Sequence, residues 1–184
     1  DVFKSRFAGN DAVLIQGSKE GSAWATRWDL TTRSIAIEGA IPFNSSQFAV
    51  SPTGERFVVS GNESALMDAE TMTQVGEPLF PKNPKSYVYT VNFSPDGTRL
   101  LTAARDGFVR VWDAATGELQ GEFDNQDWAR TAVFSPDSQL IVSGGGKYEA
   151  EAPLYVWKTM NGGAELVSGP MIHPNCIQHM AFSA

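Results

Sequence analysis

The sequence predicts an all-β chain built from several small antiparallel sheets, and three observations carry that prediction. The first is local: the stretch Phe93 to Gly121 holds short apolar runs with no helical period between repeated turn signals. The second is the chemistry of those turns, Asp-Gly at 96–97 and 106–107 and Thr-Gly at 116–117. Gly, Asn and Asp take positive φ at low cost, so such steps favour hairpins. The third is recurrence. Ser-Pro steps begin at 51, 94 and 135, and Phe182-Ser183 restarts the pattern, giving spacings of 43, 41 and 48 residues.

Within that stretch, Arg99–Ala103 and Phe108–Trp112 are five-residue runs of branched and aromatic character. The second run alternates, placing Phe108, Arg110 and Trp112 on one face and Val109 and Val111 on the other. Three turns therefore define four strands in a meander. One such sheet alone has open edges and too little core, so it needs neighbours of its own kind. They are present as Phe48-Ala49-Val50-Ser51-Pro52, Val91-Asn92-Phe93-Ser94-Pro95 and Ala132-Val133-Phe134-Ser135-Pro136, with Phe7–Ile15 one period earlier. The aromatic closing the third strand also recurs, at Trp28-Asp29, Trp112-Asp113 and Trp157-Lys158; the second module carries Met67-Asp68 instead. A period of about 40–45 residues with four strands per repeat is that of a β-propeller blade.

Phe93-Ser94-Pro95-Asp96-Gly97, Arg105-Asp106-Gly107 and Val111-Trp112-Asp113 make the chain resemble WD-repeat β-propellers. The resemblance runs over essentially all residues, strongest in the third module and loosest in the first two. It implies blades at roughly 1–43, 44–86, 87–127 and 128–175, with a stub at 176–184. Such propellers usually close with seven blades, so the resemblance also implies a piece of a longer ring, with apolar end faces open to self-association. Gly76-Glu77-Pro78-Leu79 and Gly169–His173 look like bacterial arrays, which are often attached to larger signalling proteins, kinases among them. The repeat assigns structural roles to Trp28, Trp112 and Trp157 as anchors and to Asp106 in its turn. It makes His173 the loop histidine that bonds a turn aspartate.

The formal charge of −7 and pI near 4.8 disfavour a general affinity for phosphate backbones. No apolar run approaches the roughly 18 residues of a membrane span, so no membrane segment is expected in this chain. The lone Cys176 excludes an internal disulfide and favours a reducing compartment. A cytoplasmic location is expected, with an extracytoplasmic segment of a larger protein as the other option. Asn44, Asn62 and Asn92 open glycosylation-type triplets that a polar chain matches by chance.

Catalytic chemistry finds little support. His173, Cys176 and His179 have suggestive spacing for a metal, but odd separation along a strand points Cys176 and His179 to opposite faces. Gly144-Gly145-Gly146-Lys147 resembles a phosphate loop, yet it lacks the upstream Gly, the following Ser or Thr and a helix. Glu149 and Glu151 are acidic neighbours in an exposed hairpin. Two histidines and one cysteine are a poor set for general-base or nucleophilic work. No metal or other cofactor is expected, and the chain is read as non-catalytic.

Binding is the better expectation. Transferring the repeat register places Tyr87 and Tyr89 at the start of the third module's first strand, and Trp128 and Arg130 at the same place in the fourth. Arg105, just before the hairpin aspartate, looks onto the same surface, as do the enlarged hairpins at 18–21 and 145–152. Tyr, Trp and Arg are the residues of protein-binding hot spots; packing between blades is the competing explanation for these aromatics. The functional expectation is a scaffold that presents its loop face to protein partners. The alternative is a regulatory or gating segment of a larger enzyme, such as a bacterial serine/threonine kinase.

Overall fold

The computed structural model describes residues 2–42, 46–61, 63–79, 86–148, 150–160 and 163–183. Asn44, Asn62 and Glu149 lie outside them. The described residues form fifteen strands and no helix. Sheet one holds β1 (Val2–Ala8), β2 (Ala12–Lys19), β3 (Ser22–Asp29) and β4 (Ser34–Ala40). Sheet two holds β5 (Gln47–Val50), β6 (Arg56–Ser60) and β7 (Ser64–Asp68). Sheet three comprises β8 (Val88–Phe93), β9 (Arg99–Ala104), β10 (Phe108–Asp113) and β11 (Leu119–Asp124). Sheet four comprises β12 (Ala129–Phe134), β13 (Leu140–Gly145), β14 (Ala152–Met160) and β15 (Gly163–His173). Each sheet is an antiparallel meander in chain order, as the hairpin chemistry predicts. Sheet two departs in detail: among the described residues its fourth position shows one bridge, Met67 to Gln74, rather than a named strand. Gly76 at φ +65° and Pro78, which has no N–H to give, interrupt a regular ladder there.

Two serially repeated devices build the turns. Ser51, Ser94 and Ser135 each use the backbone N–H to reach the carbonyl five residues on. Their hydroxyls accept the N–H of Arg56, Arg99 and Leu140 at 3.0, 3.0 and 2.8 Å. The proline that follows cannot donate, which suits a residue leaving a strand. At the far end, Asp29, Asp68 and Asp113 each accept two backbone N–H groups, from Thr31 and Thr32, Glu70 and Thr71, and Ala115 and Thr116. These are Asx turns that stop the third strand. Sheet four has Lys158 at that place, and there β14 and β15 run on into the two longest strands, of 9 and 11 residues.

The sheets stack in order, and an apolar core fills each junction. Leu14 and Ala25 of sheet one meet Phe57 and Val59 of sheet two. Val58 and Leu66 of sheet two meet Leu100 and Trp112. Leu101 and Val111 of sheet three meet Ile141 and Trp157. Both faces of the middle sheets are therefore buried, so the alternation on β10 separates two cores rather than core from solvent. The first strands β1, β5, β8 and β12 lie side by side. With the tail at Gln178–Met180 they border a polar channel of about 660 Å³, which Arg6, Gln47, Asn92 and Thr131 line. Side chains stitch β8 to β12: Thr90 Oγ1 donates to the Arg130 carbonyl at 2.8 Å, and Asn92 Nδ2 to the Ala132 carbonyl at 3.0 Å.

The outward face of sheet one has no sheet against it among the described residues. The ladder pairs Phe7 with Val13, Val13 with Trp28 and Trp28 with Ile35, making one row of apolar side chains. Phe7 is 72%, Trp28 38% and Ile35 47% exposed.

Candidate functional site

The site lies where β8 and β12 begin. In the β8–β9 ladder Val88 pairs with Ala104 and Thr90 with Ala103, skipping Tyr89. In the β12–β13 ladder Ala129 pairs with Gly145 and Thr131 with Gly144, skipping Arg130. Each skipped residue is the extra residue of a bulge, a device that re-aims a side chain. Val88 turns into the core, which leaves Tyr87 and Tyr89 at the surface.

The five residues expected to form a surface come together. The rings of Tyr87 and Tyr89 are 5.3 Å apart, and those of Tyr89 and Trp128 6.4 Å. The Arg130 guanidinium carbon stands 5.1 Å from the Tyr89 centroid, 5.0 Å from Trp128 and 4.1 Å from Tyr148. Arg105 lies 4.5 Å from Trp128. Contacts of this kind contribute about 0.5–2 kcal/mol each, more as water is excluded. Arg130 is 6% exposed and donates Nε to the Gly146 carbonyl at 2.6 Å, while a terminal nitrogen, Nη2, is buried without a hydrogen-bond partner. The cluster continues to sheet two through a hydrogen bond from the Tyr87 hydroxyl to Ser46.

The glycine run has a structural explanation. A Cβ on Gly145 would fall 1.7 Å from the Trp128 carbonyl oxygen and 2.6 Å from the Arg130 nitrogen. Only glycine lets β13 pass this close to the residues that carry the site. Tyr148, which no expectation singled out by itself, sits on the hairpin that follows and is 63% exposed.

The repeat anchors divide. Trp112 and Trp157 are buried and donate Nε1 to Thr102 Oγ1 at 3.0 Å and Ser143 Oγ at 2.8 Å. Ser143 donates in turn to Asn125, which is fully buried. Trp28 departs from the buried role: it is 38% exposed on the outward face of sheet one, where no other sheet lies against it among the described residues. Asp106 accepts the Phe108 N–H and binds Arg110 through both oxygens, at 3.2 and 2.9 Å. Arg110 is 2% exposed and also holds Glu122 at 2.8 Å. That buried cation escaped the sequence reading, because its partner Glu122 is brought opposite only by the β10–β11 register. His173 also differs from expectation. It is exposed at the end of β15, and its Nδ1 lies 2.7 Å from the Asn175 carbonyl rather than on an aspartate. Among the described residues no three His, Cys, Asp or Glu side chains gather as metal donors.

The family description "WD domain, G-beta repeat" matches residues 77–113, the segment that holds Asp106 and Trp112. A guanine nucleotide-binding protein subunit beta of Arabidopsis thaliana is 28% identical over 190 residues, covering 95% of this chain and 48% of that protein. Residues 77–113 carry a WD repeat, and the chain is similar to WD-repeat proteins over nearly its whole length. Its relatives include the Saccharomyces cerevisiae guanine nucleotide-binding protein subunit beta, 37% identical over 54 residues, 29% of this chain and 13% of that one. The WD40 repeat-containing protein smu1 of Dictyostelium discoideum is 42% identical over 52 residues, 28% of this chain and 10% of that one. The chain spans less than half the length of each of these relatives. They are eukaryotic and lend no support to a bacterial origin. A solved structure, Kuenenia stuttgartiensis hydrazine synthase, superposes with a TM-score of 0.67 at 17% identity, over 92% of this chain and 47% of that one. It shares the fold.

Proposed function

We propose that this chain is a non-catalytic WD-repeat scaffold that docks protein partners on the surface of Tyr87, Tyr89, Arg105, Trp128 and Arg130. The observation that carries this reading is the stacking of Arg130 on Tyr89 and Trp128 across the junction of two blades. Rigid aromatics and arginines lose little entropy on binding, so a cluster held by two bulges is prearranged for contact. Guanine nucleotide-binding beta subunits and smu1 are similar chains, which supports a scaffold role. A gating segment of a larger enzyme would use the same face against another domain.

The test is partner capture by the wild type and by a Tyr89→Ala, Trp128→Ala variant, with each captured partner then titrated in purified form. Binding falls at least about tenfold while the melting temperature stays within a few degrees. If affinity and melting temperature fall together, the aromatics are packing residues and the assignment is lost.

A further inference from the structure

We infer that the segment this face takes is a carboxylate-rich peptide, held by the guanidiniums of Arg130 and Arg105 above the Tyr89–Trp128 rings. The inference rests on the docking reading above and adds the chemistry of the occupant.

Arg130 is nearly buried and keeps Nη2 without an acceptor. An unpaired buried charge is costly, and aromatic faces recover only part of that cost. Three of the other six arginines hold acids: Arg56 pairs with Asp68, Arg99 with Asp96 and Arg110 with Asp106 and Glu122. The sequence has 21 acidic side chains against 14 basic ones, yet among the described residues none pairs with Arg105 or Arg130. Arg105, Trp128 and Lys147 line a shallow concavity of about 370 Å³. Three carboxylates border this concavity, and each accepts a hydrogen bond from another group. Asp106 holds Arg110, Asp124 accepts the Gln126 N–H at 2.6 Å, and Asp127 accepts the Trp128 N–H at 2.7 Å.

A planar guanidinium fork matches a carboxylate with two parallel hydrogen bonds. Tyr148 covers Arg130 at 4.1 Å and is itself exposed, so a carboxylate reaches the guanidinium by displacing this ring without parting two blades. The net charge of −7 opposes approach from afar. Distant charges are screened beyond about 8 Å at physiological salt, which leaves the groups at the contact itself to decide binding.

The experiment selects a random decapeptide display library on the 184-residue chain and repeats the selection on the Tyr89→Ala, Trp128→Ala variant. Peptides lost on the variant are synthesised, labelled and titrated by fluorescence anisotropy, alongside copies with every Asp and Glu changed to Asn and Gln. The site-dependent peptides are rich in Asp and Glu, and their neutral copies bind at least about tenfold more weakly. Arg105→Gln, at an exposed position, weakens the acidic peptides several-fold with an unchanged melting temperature, and Arg130→Gln weakens them further. Site-dependent peptides without acidic enrichment, or neutral copies that bind equally, overturn the acidic assignment and leave the docking reading standing. A selection whose peptides all bind the Tyr89→Ala, Trp128→Ala variant equally well removes both.

Discussion

Tyr89 and Arg130 occupy the same position in successive repeats, 41 residues apart in sequence, and they touch, with the guanidinium 5.1 Å from the ring centroid. Each is the residue its own ladder skips. A repeat therefore supplies more than two similar sheets: it lets one bulge position become an aromatic and the next a cation, facing each other.

Replacing Gly145 by Ala sets a methyl group against the Trp128 carbonyl, where backbone has to move. The expected loss is about 3 kcal/mol of stability, measured by urea denaturation, with weaker binding of any partner of the face. A Gly61→Ala variant is the control for crowding, since a Cβ there meets nothing closer than 3.6 Å and Gly61 is not among the residues with positive φ.

Asp106→Ala leaves the buried Arg110 with Glu122 and removes a two-oxygen contact. Breaking a buried pair of this kind costs about 3 kcal/mol, read from the denaturant midpoint. Binding by the folded variant at low temperature is retained, because Asp106 supports a hairpin rather than the docking surface.

Acid stability depends on Asp96. Burial raises its pKa, but hydrogen bonds from Ser94 and Thr98 and the charge of Arg99 outweigh this and hold it at about 2, below the ordinary 3.8. The folded state is thus favoured by its ionised form above about pH 4, and that contribution disappears as the pH falls toward 2. Denaturation series at pH 7, 4 and 2.5 show a steeper acid loss in the wild type than in Asp96→Asn, which starts less stable.

The row Phe7–Val13–Trp28–Ile35 exposes apolar surface that water does not favour. Light scattering on a concentration series of this chain shows association, and a Phe7→Ser, Ile35→Ser variant shifts the mass toward a single chain. Unchanged masses in both proteins exclude this face as the contact.

Much of this was legible because the signals are local. Turn residues such as Asp96-Gly97 and Asp106-Gly107, and the recurrence of Ser-Pro, specify hairpins and their spacing without knowledge of the remote chain. The placement of Tyr89 and Trp128 on one face followed from the register of the repeat the chain resembles, and their contact at 6.4 Å is seen in the structure. Features that depend on cross-strand or cross-sheet neighbours were not legible. Arg110 reads as a polar residue on an alternating strand and proves buried, because sheets cover both of its faces. Trp28 has the same sequence neighbourhood as Trp112, yet of the two only Trp112 has another sheet against it among the described residues. The interruption at the fourth position of sheet two depends on Gly76 and Pro78, whose effect on a ladder could be read only once the pairing was known.

The bonds from Thr90 to the Arg130 carbonyl and from Asn92 to the Ala132 carbonyl bear on how the molecule carries force. A partner pulling on the Arg130 side chain pulls on a backbone that the neighbouring blade grips directly. The load then passes sideways through two bonds strained in parallel, a shear geometry, and not along one ladder that opens bond by bond. Such a surface keeps its geometry while a tethered partner pulls on it.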